Sequence, residues 1–131
     1  MTICVCTLNF DGSSKPNPGI MTSGYIIKDY HDDGVLFSET ISNGAKGTSN
    51  EAEYIGLLSG IKKALELGVK HIKIIGDSEL VIFQVTGKYK CKKPHLLKYR
   101  DEIQILLKKF HTYNIQHVLR KHNKEADKLT R

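Results

Sequence analysis

Residues 3–12, ICVCTLNFDG, decide the fold. The unbroken apolar, β-branched and aromatic run over residues 3–10 reads as a strand buried on both faces, and so as the centre of a sheet. Asp11-Gly12 then reads as the turn that stops it. The loop SSKPNPG that follows is dense in turn formers, and residues 23–28, SGYIIK, resume strand character up to a tight reversal at Asp33-Gly34. Residues 35–41 return as a third strand. These connections are short, so the first three strands form an antiparallel meander in which the first and third point the same way.

Beyond the meander the period changes. Thr48-Ser49-Asn50-Glu51 has the spacing of a capping box and opens a helix to about residue 67, stopped by Gly68. Its apolar positions Tyr54, Leu57, Leu58, Ile61 and Leu65 recur at helical intervals. Residues 71–75 are a fourth strand, parallel to the first because a helical crossover leads into it. Gly76-Asp77-Ser78 starts a short helix ending near Gly87, and Pro94 suits the first turn of a longer one carrying Leu96, Tyr99, Ile103, Leu106, Leu107 and Phe110. Residues 113–119 form the fifth strand, and Asn123 caps a final short helix. The expected fold class is therefore α/β: a five-stranded mixed sheet, with strands four and five parallel to strand one, flanked by helices in one domain over residues 1–131.

This topology collects four acids at one sheet edge. Asp11 and Asp77 end two parallel strands, while Glu53 and Asp127 lie in the first turns of helices that follow strands three and five. Open α/β sheets place ligand sites at that edge. Singly, each acid has a bland role as a turn residue, cap or helix-dipole partner. Together they would repel one another without cations, and an all-oxygen set suits Mg²⁺ or Mn²⁺. Two such ions about 4 Å apart activate a water for attack at phosphorus and stabilise the departing oxygen. Glu51 lies about 200° around the helix from Glu53 and is assigned to capping. Asn17, Thr48, Ser49 and Asn50 are the polar loop groups beside the cluster that would inspect a nucleic-acid sugar.

Composition narrows the partners. Twenty Lys and Arg against fourteen Asp and Glu leave a formal charge of +6, with a dense cluster at Lys88, Lys90, Lys92, Lys93, Lys98 and Arg100. No apolar run approaches the roughly 20 residues that span a bilayer, so no membrane role is expected. The start MTICVCTLNF lacks the basic region and cleavage site of a signal peptide, which points to a cytoplasmic, reducing location. Cys4, Cys6 and Cys91 then read as small buried hydrophobes, and the six histidines form no pair at zinc-ligand spacing. A monomer is the default state.

FDGSSKPNPG, TSNEAEYIGLLSGIKKAL, IIGDSELVI and RKHNKEADKL, in that order, closely resemble the ribonuclease H type 1 family over essentially the whole chain. The resemblance implies the RNase H-like fold and cleavage of the RNA strand of an RNA/DNA hybrid, leaving 5′-phosphate and 3′-hydroxyl ends. It makes Asp11, Glu53, Asp77 and Asp127 the catalytic metal ligands for two Mg²⁺ ions, with Mn²⁺ as a substitute. Asn17 and Thr48 match positions that hold a phosphate of the DNA strand; Ser14, Ser49 and Asn50 match positions that contact the RNA.

The chain departs from the best-known bacterial pattern at Ser49, where Asn is usual, and at Glu79, where Gln is frequent. The extra basic helix and handle are missing, as in compact archaeal-type relatives, and Lys90, Lys92 and Lys93 stand in for them. The flexible catalytic histidine of longer-loop relatives has no clear counterpart; His122 is nearest, as an accessory in proton transfer or product release. The competing readings are a binding module for hybrid or duplex that has lost useful catalysis, and a nuclease that also cuts double-stranded RNA.

Overall fold

A computed structural model of the chain describes residues 5–42 and 44–130. In chain order the elements are β1 (Val5–Lys15), β2 (Gly19–Asp29), β3 (Val35–Ile41), β4 (Lys46–Gly47), α1 (Ser49–Glu66), β5 (His71–Gly76), α2 (Glu79–Val85), α3 (Pro94–Leu107), β6 (Thr112–His117), a 3₁₀ turn (Arg120–His122) and α4 (Lys124–Leu129). The sheet order is β3-β2-β1-β5-β6, with β4 added to β2. β1 runs antiparallel to β2 and parallel to β5, and β5 is parallel to β6. The expected mixed sheet is therefore present, with β1 at its centre. The two-residue β4 is an addition that carried no periodicity to reveal it; its pairing with Gly19 and Ile20 holds it in the sheet.

The main correction concerns the end of β1. Asp11-Gly12 is not a turn: β1 continues through Ser13 and Ser14 and pairs with β2 as far as Lys15↔Ile20. Only the pairing with β5 stops earlier, at Phe10↔Gly76. The Ser and Gly residues that read as turn formers carry weak local preferences, and a continuous antiparallel ladder outweighs them. β2 correspondingly begins at Gly19 rather than at residue 23. Ile3 and Cys4, at the start of the apolar run, lie outside the described residues.

Alternation along β1 sends Cys6, Leu8 and Phe10 into one face, where they meet Tyr54, Leu57 and Ile61 of α1 and Ile72 and Ile74 of β5 in a single core. Val81, Ile82 and Val85 of α2 and Leu96, Ile103 and Leu107 of α3 extend that core. Cys6 and Cys91 are buried within it, as expected of small hydrophobes. α1 lies close on β1: a Cβ added at Gly56 would come within 2.8 Å of the Asp11 carbonyl oxygen. On the opposite face α4 covers β1 and β2, with Leu129 over Gly24. No helix among the described residues is long and apolar enough to cross a membrane.

Candidate active site

Four elements deliver acids to one cleft of about 390 Å³. Asp11 stands one residue past the last β1–β5 pair, and Asp77 directly follows the last residue of β5, so the parallel ladder sets them side by side. Glu53 comes from the first turns of α1 and Asp127 from α4. One carboxylate oxygen each from Asp11, Glu53 and Asp77 lies within 4.8 Å of the other two; among the described residues no other group of three potential metal ligands comes together in this way. Asp127 lines the same cleft outside that trio.

Local contacts explain each placement. Thr48 begins α1, its hydroxyl accepting from the Glu51 amide at 3.2 Å. The Glu51 carboxylate, assigned to capping from the sequence, is bonded by the Tyr99 hydroxyl at 2.8 Å and so ties α1 to α3. Gly12 lets α1 approach: a Cβ there would fall 2.3 Å from the Ala52 carbonyl carbon and the Glu53 nitrogen. The Gly12 amide in turn donates to Glu53 Oε1 at 3.0 Å. Ser78 caps α2 by accepting from the Val81 amide, which anchors the bend holding Asp77. Asn123 makes no capping bond to α4. Its fully buried amide instead donates to the Phe10 carbonyl at 2.8 Å and accepts from Asn9 at 3.0 Å, fastening the start of α4 to the strand that carries Asp11.

The electrostatics are those of crowded, buried acids. Burial, helped by the nearness and charge of Asp11 and by the charge of Asp77, pushes Glu53 well above the usual carboxylate value. Burial and the charge of Asp11 raise Asp77 to about 6, with Asp127 adding to the effect and Arg120 opposing it. Glu53 Oε2 is buried with no hydrogen-bond partner. An unpaired acceptor among anionic oxygens is costly unless a cation takes it up. The three acids therefore fit a divalent metal ion, and a hard one, since every donor is oxygen.

Two further residues complete the cleft, and the sequence did not single them out as part of it. Thr130 Oγ1 lies 2.9 Å from Asp11 Oδ2 and 3.1 Å from the Asp127 carbonyl. Arg120 reaches Asp127 Oδ1 with Nη2 at 3.0 Å and Nε at 3.3 Å while remaining largely exposed. Neither had a readable signal: Thr130 follows the last recognised pattern, and Arg120 looks like one more basic residue before α4.

The other nominated residues divide. Ser14, Ser49 and Asn50 line the cleft. Ser14 is nevertheless buried, its hydroxyl donating to the Gly47 carbonyl at 2.6 Å, which makes it a tie between β1 and β4. Asn17 accepts from the Ser49 amide at 3.1 Å and so holds the turn after β1 against the start of α1, which Thr48 caps. Lys90, Lys92 and Lys93 are exposed on the irregular segment between α2 and α3, outside the cleft wall. His122 is exposed in the 3₁₀ turn and is not among the cleft residues; Arg120, at the other end of that turn, is.

A family model described as reverse transcriptase-like matches residues 9–131. The chain is 35% identical over 119 residues to the bifunctional protein Rv2228c of Mycobacterium tuberculosis, covering 91% of this chain and 32% of that protein. To the ribonuclease HI of Halobacterium salinarum it is 35% identical over 120 residues, covering 92% of this chain and 59% of the relative. It thus spans about a third to three fifths of the length of these relatives. The solved N-terminal RNase H domain of Rv2228c superimposes with a TM-score of 0.92 at 34% identity, covering 96% of this chain and 90% of that one. The crystal structure of the Halobacterium enzyme gives 0.89 at 34% identity, with 95% and 93% covered. LC11-RNase H1, isolated from compost and solved in complex with an RNA/DNA hybrid, gives 0.86 at 27% identity, with 95% and 92% covered.

Proposed function

Because the chain belongs to the ribonuclease HI family, we propose that it is a metal-dependent endonuclease that hydrolyses the RNA strand of RNA/DNA hybrids, leaving 5′-phosphate and 3′-hydroxyl ends. The observation that carries this reading is the trio Asp11, Glu53 and Asp77, with its unpartnered Glu53 oxygen and two acids raised above their ordinary range. A binding module has no use for three crowded acids of which two, Glu53 and Asp77, are held above their ordinary range by burial.

Asp11, Glu53 and Asp77 would hold divalent ions, two Mg²⁺ in the full arrangement with Mn²⁺ as a substitute, and Asp127 would join them from α4. Bound there, the ions supply an activated water and neutralise charge on the departing oxygen. The protein's own part is orientation. The Gly12 amide fixes one oxygen of Glu53, and Thr130 fixes one of Asp11, so neither carboxylate has to reorganise when substrate arrives. Arg120 brings a positive charge to the same wall, where a phosphate would lie. Ser49 and Asn50 border the cleft on the α1 side and would face the RNA strand. Asn17 and Thr48, together at the start of α1, would take a phosphate of the DNA strand, with Lys90, Lys92 and Lys93 reaching its continuation.

The decisive experiment presents one labelled strand as RNA/DNA, RNA/RNA, DNA/DNA and single-stranded RNA, each with Mg²⁺, Mn²⁺ or EDTA. Cutting confined to the RNA of the hybrid, requiring metal and lost in Asp77→Asn, is expected. Folded protein that binds the hybrid and never cuts it would establish the binding-module reading instead. Comparable cutting of RNA/RNA would widen the substrate class.

A further inference from the structure

One buried charge takes no part in the cleft. Lys28 projects from β2 on the face that α4 covers, and it is only 8% exposed. Lys, Glu, Arg and Asp are seldom buried to that degree without a partner. Its ammonium is offered two. Asp33, in the reversal between β2 and β3, lies 3.5 Å away and is 79% exposed; Glu125, on α4, is in direct contact with it. Bonding to Glu125 is also the largest influence raising the Lys28 pKa.

Glu125 stands two residues before Asp127 on a helix of six residues. A helix this short has almost no stability of its own and takes its position from whatever fastens it. Among the described residues, Asn123 fastens its start to β1, and Thr130, just past its end, reaches Asp11. Lys28 supplies a separate fastening to β2. We propose that Lys28 is a positioning residue: by holding Glu125 against β2 it sets where Asp127 stands relative to the Asp11, Glu53 and Asp77 trio. The proposal rests on the metal reading of the site only for its consequence, not for the fastening itself.

The two acidic partners make the idea testable. If Lys28 needed only neutralisation, α4 would stay as well held without Glu125 as without Asp33. If it holds α4, only Glu125 counts. Wild type, Lys28→Met, Lys28→Arg, Glu125→Ala and Asp33→Ala are compared by calorimetric titration with Mn²⁺ and by backbone hydrogen exchange without metal. Expected is Mn²⁺ affinity reduced about tenfold in Lys28→Met and Glu125→Ala, with Lys28→Arg and Asp33→Ala within twofold of wild type. Faster exchange confined to residues 123–130 is expected in the same two variants. Equal behaviour of Glu125→Ala and Asp33→Ala in exchange overturns the proposal. So does exchange in α4 that is unchanged in both Lys28→Met and Glu125→Ala. Glu125 is 58% exposed, so its replacement keeps the test alive if Lys28→Met fails to fold. A wild type that binds no Mn²⁺ sinks the metal reading, while the exchange data still decide the fastening.

Discussion

The Gly12 amide donates to Glu53 Oε1 at 3.0 Å across a contact so close that any side chain at position 12 would overlap the backbone of α1. The same approach that binds one oxygen of Glu53 buries the other without a partner. The geometry of the helix on the strand, rather than any separate feature, thus creates the acceptor that a cation would fill.

Gly12→Ala tests that close approach. The new methyl would meet main-chain atoms at 2.3 Å, and main chain cannot swing aside as a flexible side chain does. A loss of at least about 1–3 kcal/mol in urea unfolding is expected. A variant that retains full stability would show that α1 can withdraw from β1 at little cost.

The raised acids predict how stability depends on pH without metal. In the folded chain Asp77 keeps its proton up to about 6 and Glu53 well above the ordinary carboxylate range, whereas the unfolded chain releases both near ordinary carboxylate values. The folded state therefore binds more protons across that window, so this contribution to stability is present at low pH and is lost as pH rises through the folded values. In EDTA, the melting temperature of Asp77→Asn relative to wild type should increase between pH 4 and 7, and Mg²⁺ should restore wild type at the upper end. A constant difference over that range would mean that Asp77 titrates alike in the folded and unfolded chains.

Asn123 offers a third prediction. Leucine there would leave the Phe10 carbonyl and the Asn9 amide without their partner inside the protein, at a cost of about 1–3 kcal/mol for each group stranded. Because the bond to Phe10 sits next to Asp11, hybrid cleavage should drop more than stability accounts for. Cleavage rate at a temperature far below the melting point separates the two effects.

Substrate binding predicts salt behaviour. Replacing Lys90, Lys92 and Lys93 with Gln should flatten the log affinity against log salt plot for hybrid by up to about 0.9 for each phosphate that the variant no longer neutralises. An unaltered slope returns these exposed lysines to the status of a solvated loop. Asn17→Ala with Thr48→Ala should weaken hybrid binding and loosen the start of α1 together, since both side chains accept from its first amides. Weaker binding without any fall in helix protection would assign them to substrate alone.

Much of the fold was legible in the chain itself. The apolar run before Asp11, the helical period from Tyr54 to Leu65 and the crossover into β5 determine a mixed sheet with β1 central, because burial patterns and crossover handedness act locally and repeat. The same topology put Asp11, Glu53 and Asp77 at one edge. Packing between distant segments decided the rest. Whether Asp11-Gly12 turns or continues depended on β2 lying alongside it, and Gly12 serves close approach rather than a bend. Whether Asn123 caps its helix or clasps β1, and whether Glu51 caps or binds Tyr99, depended on partners 113 and 48 residues away. A side chain with several possible hydrogen bonds carries no mark of which it will make. Only the tertiary arrangement, by excluding water from some of them, selects one.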